Sequence, residues 1–155
     1  DWATQVLMSH CMDKAQQSYE KEKQPHMLEL ASSYIERLTG GMYTFDILGI
    51  NEGVALVNGN GERLELKFWS SGLADQVYLA LRLALAKVFS YQVESLPIIL
   101  DDILVRFDEN RQHSALELLA EIGKNQQIWL FTCQRSVYDR AQSIAGIDRH
   151  RLSRS

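Results

Sequence analysis

The run Leu96-Pro97-Ile98-Ile99-Leu100, ending in Asp101-Asp102, constrains this chain more than any other feature. It is too short for a helix and lacks the apolar-polar alternation of a half-solvated strand, so it implies a strand buried on both faces, as in a parallel sheet. Parallel strands need a long crossover between them, and the chain supplies one. Glu109 to Ile122 places Ala115, Leu116, Leu119 and Ile122 on one helical face, Gly123 stops it, and Gln127-Ile128-Trp129-Leu130-Phe131-Thr132 is a second apolar strand. Trp129 and Phe131, alternating with Leu130, read as core filling, and Cys133 as packing behind them.

Upstream, Ser70 or Ser71 can cap a helix whose broad apolar face is Leu73, Val77, Leu81, Ala84, Leu85 and Val88, widened by Ala80 and Leu83. Before it, Val54 to Val57 and Arg63 to Leu66 flank Asn58-Gly59-Asn60-Gly61, a hairpin signal because Asn-Gly pairs supply positive φ angles. Met42 to Glu52 mixes aromatic and β-branched residues. Met27, Leu30, Ala31, Tyr34, Ile35 and Leu38 recur at helical spacing, stopped by Gly40-Gly41, and Asp1 to Lys23 is a polar, helix-permissive stretch with little to bury. After Arg135 a short helix over Ser136 to Ser143 and a last strand near Ile147 to Leu152 are expected. The order predicts an α/β fold: a mostly parallel core sheet with flanking helices, behind an antiparallel hairpin.

With 155 residues, 46% hydrophobic and 23% charged, the chain has room for one domain and too much apolar content for disorder. A formal charge of −4 provides no global field toward nucleic acid or anionic lipid. The greasiest stretch, Leu79 to Ala86, is broken by Arg82, so no membrane span is expected. Cys11 and Cys133 are too distant in sequence for a metal set or disulfide framework and read as reduced thiols of a cytoplasmic protein.

Two segments carry candidate chemistry. Adjacent acids at the C-terminal tip of a buried strand sit where open parallel sheets bind ligands. Phosphate-cleaving ATPases hold magnesium there with the first acid and polarise the attacking water with the next, roles that Asp101 and Asp102 fit. Acids that merely end a strand and cap a turn account for the same residues. Ser70-Ser71-Gly72-Leu73-Ala74-Asp75-Gln76 opens the long apolar helix, and its hydroxyl, its glycine and the free amides of a helix start together suit a phosphate. An ordinary N-cap is the alternative.

In combination, these segments resemble a known family. Trp69 to Gln76, running into Tyr78 to Leu85, looks like the signature motif and helix of an ABC-type ATPase head of the SMC, RecF and SbcC class, most similar to the YhaN-like AAA-domain proteins. Leu96 to Asp102 matches that family's Walker B strand, Phe107-Asp108-Glu109-Asn110-Arg111 its D-loop, and Leu130 to Arg135 its switch strand and loop. The resemblance covers Trp69 to Arg135 and implies the C-terminal half of a P-loop NTPase head. Residues 1–24 would then end a coiled-coil arm, and residues 25–155 would form the lobe.

Three departures qualify what the resemblance implies. The sequence has no G-x-x-x-x-G-K-[ST] loop, since its one Gly-Lys pair, Gly123-Lys124, is followed by Asn125 and preceded at the required spacing by Leu118. The resemblance implies that an N-terminal lobe of the same protein, beyond the coiled coil, brings that loop, and the chain alone is expected to bind nucleotide weakly. The usual catalytic glutamate is Asp102, and the usual switch histidine is Gln134, whose amide can bond a phosphate but not take a positive charge. The implied ligands are ATP and Mg2+. Asp101 would serve the metal, Asp102 and Gln134 catalysis, and Ser70, Ser71, Gly72, Gln76 and Asp108 the nucleotide held by a second head in an ATP-dependent homodimer. DNA and a nuclease subunit are further implied partners. Both a slow ATPase and an ATP-gated clamp with little turnover fit these substitutions; a metal-dependent nuclease or phosphatase using Asp101, Asp102, Asp108 and Glu109 lacks an accompanying histidine or further carboxylate cluster. His10, His26, His113 and His150 are scattered, and arginines 135, 140, 149, 151 and 154 give a basic end suited to DNA or simply to solvent.

Overall fold

A computed structural model of the chain describes residues 26–46, 55–91 and 95–152. The expected arm helix before residue 24 lies outside them, as do Ile47 and Ile50 of the first strand segment. Helix α1 spans residues 26–38 and buries Ala31, Tyr34, Ile35 and Leu38 as expected, together with Leu28, while Met27 and Leu30 are only partly buried. It ends in left-handed glycines, Gly40 at φ 65° and Gly41 at φ 82°, with the Gly41 amide donating to the Glu36 carbonyl at 2.7 Å. Such a turn satisfies carbonyls that the helix end leaves open. Thr39 then bridges outward, its hydroxyl donating to the Ile35 carbonyl at 2.8 Å and accepting from the Tyr43 amide at 3.2 Å.

Strands β1 (Tyr43–Phe45), β2 (Ala55–Asn58) and β3 (Arg63–Glu65) form an antiparallel sheet in the order β1-β2-β3. The Asn-Gly turn works mainly through Asn58, whose Oδ1 accepts from the amides of Asn60 and Glu62 at 3.0 and 2.9 Å. Of the two turn glycines only Gly61, at φ 79°, takes the left-handed conformation. A 3-10 turn over Leu66–Phe68 leads to α2 (Ser71–Ser90).

Helix α2 buries Leu73, Gln76, Val77, Leu79, Ala80, Leu83 and Ala84. Leu79 therefore replaces the expected Leu85, which is 45% exposed. The face points toward α1, to which Gln76 is tied through a 2.6 Å bond from Nε2 to the Leu38 carbonyl. Next come β4 (Ile98–Asp101), α3 (Glu109–Gly123) and β5 (Ile128–Phe131), the β-α-β unit expected from the apolar runs. β4 and β5 are parallel, with Ile99 opposite Trp129 and Asp101 opposite Phe131. Helix α4 (Arg135–Arg140) and a 3-10 turn over Ala141–Ser143 follow.

Three expectations are corrected. Trp129 and Phe131 are 46% and 44% exposed, because among the described residues only the alternate positions Ile128 and Leu130 of β5 meet the core. Cys133 is exposed rather than packed, since it lies past the strand's end in the loop to α4. Residues 147–152 form no strand: among the described residues β5 pairs with β4 alone, and these residues line a groove beside β5 without joining its ladder. The basic end is partly engaged: Arg140 meets Glu109 at 3.1 Å and Arg149 donates to the Tyr138 carbonyl at 3.2 Å. No described helix is long and apolar enough to cross a membrane.

Candidate functional site

The connection from β4 to α3, residues 102–108, gathers the segments singled out in the sequence. Its first residue, Asp102, adopts a left-handed φ of 46°, a conformation that aspartate tolerates better than most side chains but that still costs energy. The amide of Asp102 donates to the Phe131 carbonyl at 2.9 Å, extending the β4-β5 ladder by one bond. Its carboxylate turns to the loop after β5: Oδ1 accepts from the Cys133 amide at 2.9 Å, and Oδ2 from the Cys133 thiol at 3.1 Å. The Cys133 backbone bond, then the thiol and then the Thr132 hydroxyl hold Asp102 below the usual carboxylate range, while the hydrogen bond to Asp102 pushes the Cys133 thiol up. Asp101, on the last position of β4, is exposed.

Gln134 caps α4 and reaches back to the same connection. Its Oε1 accepts from Gln112 Nε2 at 3.3 Å, and its Nε2 lies 3.5 Å from the Val105 carbonyl. Gln112, buried in the first turns of α3, also donates to the carbonyls of Phe107 and Leu104 at 3.1 and 3.4 Å. Asp108 caps α3, accepting from the Arg111 amide at 2.9 Å and pairing with the Arg111 guanidinium at 3.1 Å. Its carboxylate therefore shapes the start of α3.

The start of α2 rests on this connection. Ser70 is the cap, its Oγ accepting from the Leu73 amide at 3.2 Å, and Ser70 and Ser71 are exposed. A β-carbon on Gly72 would lie 3.4 Å from the Arg106 carbonyl and 3.7 Å from Arg111 Nη1, which is ordinary contact. Packing among the described residues therefore does not demand a glycine there. Asp75 meets Arg106 at 3.5 Å, pinning the second turn of α2 to the same loop. Gln76 is not brought to the surface with the serines; it is fully buried toward α1, and its Oε1 has no hydrogen-bond partner among the described residues.

The structure thus joins Asp101, Asp102, Asp108 and Gln134, and the base of Ser70 to Gly72, through one loop, and separates Gln76 from them. Cys133 and Gln112 are functional candidates that the sequence reading did not select. Gln112 was detectable in principle, because it falls three residues before Ala115 on the core face of α3, where an amide is out of place unless it has partners. Among the described residues no group of three or more acidic, histidine or cysteine side chains could hold a metal. A single exposed carboxylate nevertheless fits magnesium, which usually takes one or two protein carboxylates and completes its shell with water and substrate phosphates.

No protein-family model matches the sequence. Over 141 residues the chain is 30% identical to the uncharacterized protein YhaN of Bacillus subtilis (strain 168), a match spanning 89% of this chain and 14% of that protein. The structure superimposes on an SMC head domain from Thermotoga maritima with a TM-score of 0.59 and 22% identity, over 75% of this chain and 40% of that one. It also matches the Smc head domain of Pyrococcus furiosus bound to the C-terminal domain of ScpA, with a TM-score of 0.67 and 14% identity, over 88% and 35% of the two chains. A third match, from a study of ATP-driven dimerization and DNA-stimulated activation of SMC ATPases, has a TM-score of 0.62 and 14% identity, over 81% and 77%. The chain has the fold of the C-terminal part of an SMC-type head. Beside β5, a groove of about 830 Å3 is lined by α3, β5, α4 and residues 146–152.

Proposed function

We propose that this chain is the C-terminal half of a split SMC-like ATPase head, which binds ATP together with a P-loop lobe and a second head. The observation that carries the reading is the shared loop at residues 102–108, which supports the exposed start of α2 on one side and the tip of β4 with the Gln134 loop on the other. In this reading Ser70, Ser71 and Gly72 act in trans, as signature residues covering the γ-phosphate of nucleotide held by the neighbouring head. The unexplained glycine supports this, because a missing β-carbon lets backbone amides at a helix start approach an anion.

Within its own head, Asp101 would hold magnesium, which when bound neutralises phosphate charge. Asp102 orients the attacking water, Gln134 donates from its amide to a phosphate oxygen, and Asp108 lies along the seam between heads. The P-loop lobe docks on the exposed face of Ile99, Trp129 and Phe131 and along the β5 edge, where the groove can accept a further strand. ATP then joins two heads and hydrolysis parts them. Service in DNA repair or chromosome maintenance, with DNA and a nuclease subunit as partners, is the biological setting that agrees with the SMC-type fold.

A head assembled from this chain and its P-loop lobe is expected to hydrolyse ATP with magnesium, and Asp102→Asn or Ser70→Arg to lower turnover about 100-fold or more. Unchanged turnover in both variants would falsify the assignment. The Asp102 carboxylate, occupied on both oxygens by Cys133, favours a second reading in which the complete head is an ATP-gated clamp with little turnover. ATP-driven association without phosphate release distinguishes it.

A further inference from the structure

We propose that Gln112 is a positioning residue that sets which end of the Gln134 amide faces the nucleotide and ties that orientation to the loop leading to Asp108; this rests on the ATPase reading above. A primary amide has a donor end and an acceptor end, and a phosphate oxygen can be met only by the donor. Gln112 Nε2 faces three acceptors, the carbonyls of Phe107 and Leu104 at 3.1 and 3.4 Å and Gln134 Oε1 at 3.3 Å. Since this NH2 group can only donate, it draws the Gln134 carbonyl oxygen inward and leaves the Gln134 NH2 at the exposed rim near Val105.

The arrangement is specific rather than a by-product of packing. Gln112 is 6% exposed on the core face of α3, and its own Oε1 has no hydrogen-bond partner among the described residues. An orphaned buried acceptor is costly, and a methionine of similar volume would avoid it, so filling space does not explain the amide. What the amide does is hold the last turn of the 102–108 loop and the switch glutamine on one nitrogen. A shift of Asp108 at the seam between heads therefore moves the group that meets phosphate.

The test uses the head assembled from this chain and its P-loop lobe. Gln112→Glu replaces the donor by an acceptor and forces the Gln134 amide to turn its carbonyl outward. It is expected to lower kcat about 10- to 100-fold with KM for ATP changed less than about threefold. Gln112→Met is expected to melt close to wild type and to lose kcat similarly. Gln112→Glu combined with Gln134→His restores a donor facing an acceptor at that contact, and recovery of about tenfold in kcat is expected. If both single variants keep wild-type kcat, or the double variant stays as slow as Gln112→Glu, the proposal is overturned. Should wild type itself release no phosphate, the ATPase reading fails, and amide exchange in this chain still decides the positioning claim. Gln134→Ala is expected to speed exchange across residues 103–108 more in wild type than in a Gln112→Met background, where only its own contact with the Val105 carbonyl is lost, and equal effects in both overturn it.

Discussion

The two sheets of this molecule are built from similar amounts of chain and differ in what they need from outside it. The antiparallel sheet is self-sufficient: Asn58 and Gly61 set its turn, Phe45, Ala55 and Leu56 face the core, and the side chains of Arg63 and Glu65 are turned to solvent or to ion pairs. The parallel pair is apolar on both faces, yet the described residues cover one. Leu100, Ile128 and Leu130 meet the core, while Ile99 is 70% exposed and lies directly opposite Trp129. A strand pattern that commits apolar residues to both sides describes a surface to be buried by another body. That exposed side ends at Asp101, so the incomplete face and the candidate chemistry share one edge of the sheet.

The largest effect is expected where the two sheets differ most. In the assembled head, Trp129→Ala is expected to weaken lobe association by about 3–5 kcal/mol, the usual consequence of truncating a buried aromatic side chain. In the chain alone the same change is expected to cost about 1–2 kcal/mol, because the indole is half in water. Calorimetric titration of lobe against lobe and urea unfolding of the chain measure the two quantities. Equal, large losses in both would mean that Trp129 belongs to this chain's own core and would erase the contrast. Leu56→Ala is the converse. Fully buried on β2, it is expected to cost about 2–5 kcal/mol in the chain alone, and the same with the partner lobe present.

Much of the fold was legible because local pattern and final environment agree. The helical stripes of α1 and α3, the Asn-Gly turn and the order of β4, α3 and β5 depend on periodicity and turn chemistry that need no distant partner. The errors fall where the environment is set elsewhere. The apolar context of Trp129 and Phe131 implies core, but among the described residues nothing covers their face of the strand. Residues 147–152 have a strand-like composition but no strand beside them among the described residues. At the site, the capping role of Ser70 and the position of Asp101 followed from local sequence. The Asp102–Cys133 and Gln112–Gln134 contacts join residues 31 and 22 positions apart, a pairing that spacing does not disclose.

A smaller effect separates local conformation from the demands of the site. Gly61→Ala is expected to destabilise the chain by about 1 kcal/mol, because φ 79° is strained for a residue with a β-carbon. Gly72→Ala has no such barrier, and it is expected to leave unfolding unchanged or stabilise the chain by up to about 1 kcal/mol through better helix propensity. In the complete head the same Gly72→Ala is expected to weaken ATP-driven association, measured by light scattering with and without ATP. If Gly72→Ala unfolds the chain as Gly61→Ala does, the glycine serves local structure and its proposed trans role loses its support.

The smallest effect lies in the pH response of the Asp102–Cys133 contact. Asp102 titrates below its ordinary range, so the stability it contributes is complete above that range and is lost as pH falls through the depressed value. Cys133 titrates above its ordinary 9.0, so its contribution is complete below 9.0 and is lost as pH rises through the raised value. In a Cys11→Ser background, alkylation of Cys133 is expected to rise only at a pH above that of a free thiol, since the thiolate is the reactive form. Asp102→Asn is expected to bring the midpoint back toward 9.0. An unchanged profile would place the carboxylate away from the sulfur in solution. In the assembled head the measurement also tests the role proposed for Asp102: if ATP draws the carboxylate away from Cys133, the thiol loses its acceptor and alkylation is expected to shift to lower pH. Alkylation indifferent to ATP would show that the carboxylate stays with Cys133, as a clamp without turnover requires.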